Sequence, residues 1–238
     1  MRIKFISLVK SSATPLNKDL LSTISESISA FGDVDVVDTA PDLVHICGKW
    51  SSASATTIKH YTNKGVPVVF TSANGLTEQL TTLSCMLAPT VFHCCGPAEA
   101  RLIKKISPNA PIVVIANEKF TSTTDMTTMI RLFNELYVKT YNEHEAHVKE
   151  DIQQKLKGVS DEAIKDIIAL LLYLKYAYKR ETIRQTLLDS LSDTLINSDY
   201  DEGAMHKTLS DMRLLSFAAS SMALLEEKSH LTEGFMPI

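Results

Sequence analysis

The sequence predicts an α/β protein: a mostly parallel sheet flanked by helices, followed by an all-helical C-terminal region. Three observations carry this. The apolar runs in Pro41–Trp50 (PDLVHICGKW), Gly65–Gly75 (GVPVVFTSANG) and Thr90–Gly96 (TVFHCCG) each end abruptly in small or polar residues, as parallel strands buried on both faces do. Helical patterns alternate with these runs. After Asn117 the alternation stops and only helical periodicity remains.

Taken in order, Ile3–Val9 (IKFISLV) reads as a first strand, followed by a loop over Lys10–Pro15. Leu16, Leu20, Leu21, Ile24 and Ile28 recur at helical spacing to Phe31, where Gly32 supplies a C-cap. Val34–Val37 and Asp42–Cys47 are the next two strands. Ser51–Asn63 is a helix stopped by Lys64-Gly65, and Pro67–Thr71 is the fourth strand. Leu76–Leu87 is helical, Thr90–Cys94 a strand, Ala98–Ile106 a helix ended by Ser107-Pro108, and Ile112–Ala116 a sixth strand. Thr124–Leu156 is then one long helical stretch. Ile164–Tyr178 is apolar nearly all round, as a central helix is, with Ser160 or Asp161 as its cap. Glu181–Ile196 continues the helical pattern, Asn197–Gly203 is an exposed turn, Ala204–Lys228 a last amphipathic helix and Leu231–Ile238 a tail. The expected division is residues 1–122 and 123–238, the second part forming either a bundle of its own or a cap on the sheet.

The chain has 238 residues, 45% hydrophobic and 22% charged, with a net charge of -4. That balance, without basic clusters, argues against nucleic acid or an anionic membrane as partner. The four cysteines, Cys47, Cys85, Cys94 and Cys95, form neither a disulfide framework nor a zinc pattern, so reduced thiols in a cytoplasmic protein are expected. Met1–Val9 is too short for a signal sequence, and Ile164–Tyr178 is interrupted by Lys165, Asp166 and Lys175 and short of a membrane span. No cofactor and no metal are expected. His144 and His147 have ligand spacing, but Glu143-His144-Glu145-Ala146-His147 lacks the order of a zinc-protease helix and reads as a solvated face. Lys10-Ser11-Ser12 lacks the glycines of a phosphate loop.

At its strand ends the sequence resembles the acceptor-side, N-terminal half of glycosyltransferases with the two-domain B-type fold, in particular the family that contains sucrose and glycogen synthases. Pro41–Trp50 is similar to that family's P-D-[VL]-V-H-x-H-G-x-W strand, with Cys47 in place of the second histidine. Gly65–Gly75 is similar to G-[IV]-P-V-V-x-T-x-H-G, with one extra residue and Asn74 where the histidine stands. Cys95–Ala100 (CGPAEA) resembles the S-x-x-E-A element, and Pro108–Glu118 the strand that closes that half. The resemblance covers residues 1–118 and implies a Rossmann-like, glycosyltransferase-type first domain.

The departures bear on activity. Where the family has a second, donor-binding domain, Asn117 is followed almost at once by Thr124–Tyr141, which looks like the family's closing helices. The donor domain's diphosphate-binding cations go with it, and these supply much of the transition-state stabilisation. The resemblance therefore implies a glycosyltransferase-like protein that keeps only the acceptor side, is non-catalytic alone and acts in recognition or scaffolding. A protein partner or homo-oligomer is expected, with a saccharide or glycosylated small molecule as ligand. The alternative is the acceptor subunit of a split transferase completed by a separate donor-binding chain. A small α/β hydrolase or reductase is disfavoured because G-x-S-x-G and G-x-G-x-x-G are both missing.

The candidate binding residues are Ser11, Ser12, His45, Lys49, Trp50, Ser72, Asn74, Gly96 and Glu99, on or beside the loops after the strands. No catalytic residue is assigned. His45 either lines a cleft or is a hydrogen-bonded core histidine, and His93 reads in the same way. Trp50, the only tryptophan, either stacks on a sugar ring or packs under the helical cap. Cys94 or Cys95 as a nucleophile would require a neighbour that stabilises a thiolate.

Overall fold

A computed structural model describes residues 1–8, 15–72, 88–116 and 123–229; the side chains of residues 15–20, 123 and 124 fall outside that description. The chain divides into two compact units, Met1–His144 and Glu145–Ile238.

Unit 1 is built on a six-stranded, all-parallel sheet: β1 (Arg2–Ser7), β2 (Asp35–Val36), β3 (Leu43–Gly48), β4 (Val68–Ser72), β5 (Val91–Cys94) and β6 (Ile112–Val114). Its order is β2-β1-β3-β4-β5-β6. Every residue of β3, β4 and β5 is buried, which is why these strands read as apolar runs with few polar residues, His45, Thr71, Ser72 and His93. Alternate side chains feed two cores. One face meets α1 (Pro15–Ser27) and the start of α4 (Thr123–Lys155), placing Ile3, Leu43, Val69 and Val91 against Ile24, Ile28, Met129 and Phe133. The other meets α2 (Ser52–Asn63) and α3 (Pro97–Ile106), placing Val44, Ile46, Phe70 and Phe92 against Ile58 and Ile103. The strand order reverses between β1 and β3, the point at which such sheets open a crevice beyond their carboxyl ends.

Unit 2 is helical: the end of α4, a 3-10 turn at Leu156–Gly158, α5 (Glu162–Arg180), α6 (Gln185–Asn197), α7 (Glu202–Asp211) and α8 (Leu215–Ser229). α5 is its centre, burying Ile164, Ile167, Ile168, Leu171, Leu172 and Leu174 among Leu191, Leu209 and Leu225. The side chain of Asp161 caps it, accepting the Ile164 N–H at 3.0 Å.

Two helix ends differ from the expected pattern. The single helix expected over Ala204–Lys228 is two, and the pattern expected over Glu181–Ile196 becomes helical only at Gln185. The cause is the same at both places. Leu214 N–H bonds the Leu209 carbonyl and Arg213 N–H that of Ser210; Thr182 N–H bonds Ala177 and Glu181 N–H bonds Tyr178. Each is a Schellman motif whose left-handed residue is a charged one, Arg213 at φ 56° and Glu181 at φ 61°, so no glycine marks the stop. The matching motif after α2 has Gly65 at φ 76° and was legible. No helix among the described residues is long and apolar enough to cross a membrane.

Arg213 is exposed, and an L-residue in the left-handed region is held against its steric preference. Arg213→Gly should therefore raise stability by about 0.5–1 kcal/mol in urea titrations. A destabilised variant would show that the arginine side chain, not the backbone, holds this turn.

Candidate functional site

The carboxyl edge of β3, β4 and β5 is built around the turn that leaves β3. A Cβ on Gly48 would lie 2.8 Å from Ser54 Oγ and 3.2 Å from Leu8 Cβ, so the chain can pass between β1 and α2 only as glycine. Ser54 Oγ donates to the Lys49 carbonyl at 2.5 Å, and Ser51 Oγ accepts the Ser54 N–H, capping α2. This tight turn leaves Lys49 exposed and folds Trp50 back onto the sheet. The indole stacks on Phe92, with ring centres 5.5 Å apart and planes 4° from parallel, and meets Phe70 edge-on at 6.0 Å. Of the two expectations for Trp50, the ring packs, but within the core of unit 1 between the sheet and its own helices.

Three polar atoms at this edge are buried without a partner among the described residues: Trp50 Nε1, Ser72 Oγ and Glu99 Oε1. Ser72 closes β4 beside Gly48 and, two residues after Phe70, on the same side of the pleat. Gly96 is the N-cap of α3 and Glu99 lies in its first turn; Glu99 Oε2 accepts the Cys95 N–H at 2.9 Å. Burial raises the Glu99 carboxyl above its ordinary range, against the opposing pull of that N–H. Burial also pushes the Cys47 and Cys94 thiols up to about 12, so both stay protonated at neutral pH and neither offers a thiolate.

His45 is elsewhere. It lies on the opposite face of the sheet, fully buried, inside a hydrogen-bond chain that crosses three strands and reaches α4. Tyr137 Oη and His45 Nδ1 are 2.7 Å apart, His45 Nε2 and Thr71 Oγ1 2.7 Å, Thr71 Oγ1 and His93 Nδ1 2.8 Å, and His93 Nε2 and the Ile115 carbonyl 3.2 Å. Burial holds both imidazoles neutral, His93 at about 4 and His45 well below its ordinary value, with His93 adding to the effect on His45. The direction of every proton follows from the far end. A carbonyl only accepts, so His93 Nε2–H donates to Ile115 and Nδ1 accepts the Thr71 hydroxyl proton. Thr71 then accepts from His45 Nε2–H, and His45 Nδ1 accepts from Tyr137, whose phenol burial keeps protonated. Phe133 wedges against both imidazoles, 5.8 Å from His45 and 4.7 Å from His93. The chain leaves neither histidine a free nitrogen, so both are the hydrogen-bonded core histidines that one of the two readings expected.

The structure thus brings Lys49, Trp50, Ser72, Gly96 and Glu99 to one sheet edge and sets His45 apart. Ser11, Ser12 and Asn74 lie outside the described residues. His144 is not simply a solvated residue: Nε2–H donates to the Gly65 carbonyl at 2.8 Å, tying α4 to the turn before β4. Among the described residues no group of three side chains is placed to hold a metal ion. Sequence reasoning missed Thr71 and Tyr137 as partners of the histidines. The only signal was Phe133 and Tyr137 four apart on α4, a spacing shared by any core stripe.

Tyr137→Phe removes the donor to a fully buried imidazole nitrogen and should cost about 1–3 kcal/mol in urea unfolding. On unfolding, both imidazoles return to the ordinary range near 6.5, so the unfolded chain takes up protons that the folded chain refuses. Stability should be complete above about pH 6.5 and fall as the pH drops towards 4, by up to about 1.4 kcal/mol per pH unit for each histidine. Urea midpoints across that window measure the slope, and His93→Gln should roughly halve it; an unchanged slope would mean that His93 is not refusing a proton in the fold. Compared with known proteins, the chain matches no family model and no curated protein.

Proposed function

We propose that the carboxyl edge of the sheet recognises a saccharide or glycosylated small molecule, and that the chain is non-catalytic alone, acting in recognition or scaffolding. One observation carries this reading: three buried polar atoms without partners among the described residues, Trp50 Nε1, Ser72 Oγ and Glu99 Oε1, at the strand ends. Together they offer an N–H donor, a hydroxyl that donates or accepts, and a carboxyl oxygen that accepts. A buried group left unsatisfied costs about 1–3 kcal/mol, which a ligand that completes it returns. Sugar hydroxyls both donate and accept, so they suit a mixed set of this kind. The motif resemblance of residues 41–50, 65–75 and 95–100 points to the same class of ligand. The non-catalytic part of the reading rests on the absence of a general base or cation in the pair of neutral, fully engaged histidines and on the protonated thiols of Cys47 and Cys94.

Trp50 is the only tryptophan, so its emission reports this edge directly. Titration with glucose, sucrose and maltose should change that emission saturably for at least one sugar, with a matching calorimetric signal. Ser72→Ala and Glu99→Gln should each weaken that binding by about 5- to 100-fold, the equivalent of one lost hydrogen bond. No response to any of the three sugars by either method would overturn the saccharide reading, and turnover of UDP-glucose by the purified chain would overturn the non-catalytic one.

A further inference from the structure

Unit 2 contains a groove of about 450 Å³ that the strand-end site does not involve. Its floor is apolar: Leu172 and Leu214 are almost fully buried, and Met212 is half-buried between α7 and α8. Its rim carries three ammonium groups, from Lys155 at the end of α4 and from Lys175 and Lys179 on α5. A chain of net charge -4 has carboxylates enough to pair them, yet among the described residues only one of the three is paired. Lys155 Nζ is 2.5 Å from Asp151, which also accepts the Tyr176 hydroxyl, the polar group on the groove's wall. Lys175 lies 5.7 Å from the centre of the Phe217 ring, and among the described residues neither Lys175 nor Lys179 is in an ion pair.

Lys175 and Lys179 are four apart on one helix, where like charges repel. The negative end of the α5 dipole accounts for Lys179, one residue from the last. It does not account for Lys175, which is more than a turn further in. The volume falls in the range of sites for small organic ligands, roughly 300–1,000 Å³, in which an apolar lining with a few convergent charges is the usual composition. The charges also set where an anion would sit. Lys155 and Lys179 stand at the C-terminal ends of α4 and α5, which present carbonyls, so on that side of the groove only the ammonium groups meet an anion. An ammonium acts as a point charge, which a carboxylate carried on an apolar body can meet from the rim.

We propose that this groove binds an amphipathic carboxylate, its apolar body on Leu172, Met212 and Leu214 and its carboxylate between Lys175 and Lys179. The site is independent of the strand-end reading, and its occupant is set by charge complementarity above an apolar floor.

The test uses the full chain and octanoate, with calorimetry for affinity and amide NMR shifts for location. Octanoate should bind and shift amides of α5 and of the α7–α8 turn, whereas octanol and acetate should each bind at least about tenfold more weakly. Lys175→Glu with Lys179→Glu should lower octanoate affinity by at least about tenfold, and Lys175→Gln with Lys179→Gln should lower it by less. Lys59→Glu with Lys105→Glu, an equal change of net charge on exposed residues of unit 1, should leave it unchanged. Thermal melts followed by circular dichroism confirm that each variant is folded. Absence of octanoate binding overturns the proposal, as does octanol or acetate binding as well as octanoate. Indifference to the charge reversal at 175 and 179 overturns it too. Co-sedimentation with phosphatidylglycerol vesicles without binding of monomeric octanoate would make the groove a membrane-facing patch and overturn it equally.

Discussion

The hydrogen-bond chain Tyr137–His45–Thr71–His93–Ile115 is the constraint on which the arrangement of unit 1 depends. An imidazole in the middle of a strand buried on both faces is costly unless both nitrogens are satisfied. Here two imidazoles share one threonine, and the second needs a backbone carbonyl at one end while the first needs a phenol at the other. Only one rotation and one height of α4 over the sheet deliver Tyr137 to His45 and Phe133 to the gap between the histidines. Apolar packing of Met129, Ile130 and Leu136 would tolerate several such positions; the polar chain accepts one. Its protons run in a single direction because the terminal carbonyl cannot donate.

The two faces of the sheet consequently have different characters at the same depth. Towards α1 and α4 both imidazoles are sealed and fully bonded, while Asn134 Oδ1 is buried without a partner among the described residues. Towards α2 and α3 the filling is aromatic, with Trp50, Phe70 and Phe92 in mutual contact, and the polar atoms that remain stand at the carboxyl edge without partners. The difference between a core histidine and a ligand-facing group is thus a matter of two residues and one pleat: His45 points into the complete network, whereas Ser72, one residue beyond the network's Thr71, points the other way.

The sheet was readable because burial on both faces leaves few polar residues in β3, β4 and β5, and such runs are bounded sharply by Gly48, Ser72 and Gly96. The central helix α5 was readable for the same reason. The helix ends at Glu181 and Arg213 were not, because their turns use charged residues where glycine is the recognisable signal, and periodicity passes through a Schellman turn undisturbed. The histidine network was half legible. His45 and His93 are conspicuous in apolar strands, but Tyr137 is 92 residues from its partner, and no local pattern encodes that pairing. At the strand edge, Trp50, Ser72 and Glu99 were picked by their position after a strand. Their unsatisfied atoms depend on the stacking of Trp50 on Phe92 and on which oxygen of Glu99 meets the Cys95 N–H, and neither is written in the sequence.

Those unsatisfied atoms weigh heavily against the stability of a domain this size. Each costs about 1–3 kcal/mol, and a folded domain has only about 5–15 kcal/mol in all. Phenylalanine at 50 and alanine at 72 would carry no buried polar atom to leave unsatisfied, and Glu99 already spends its other oxygen on the Cys95 amide. A sequence shaped for stability alone would carry the cheaper residue at each place. The groove in unit 2 repeats the pattern in charge: Lys175 and Lys179 repel each other above an apolar floor that neutral side chains would cover better. In both units the cost is confined to single polar or charged groups at the edge of a core, and it falls where a ligand would remove it.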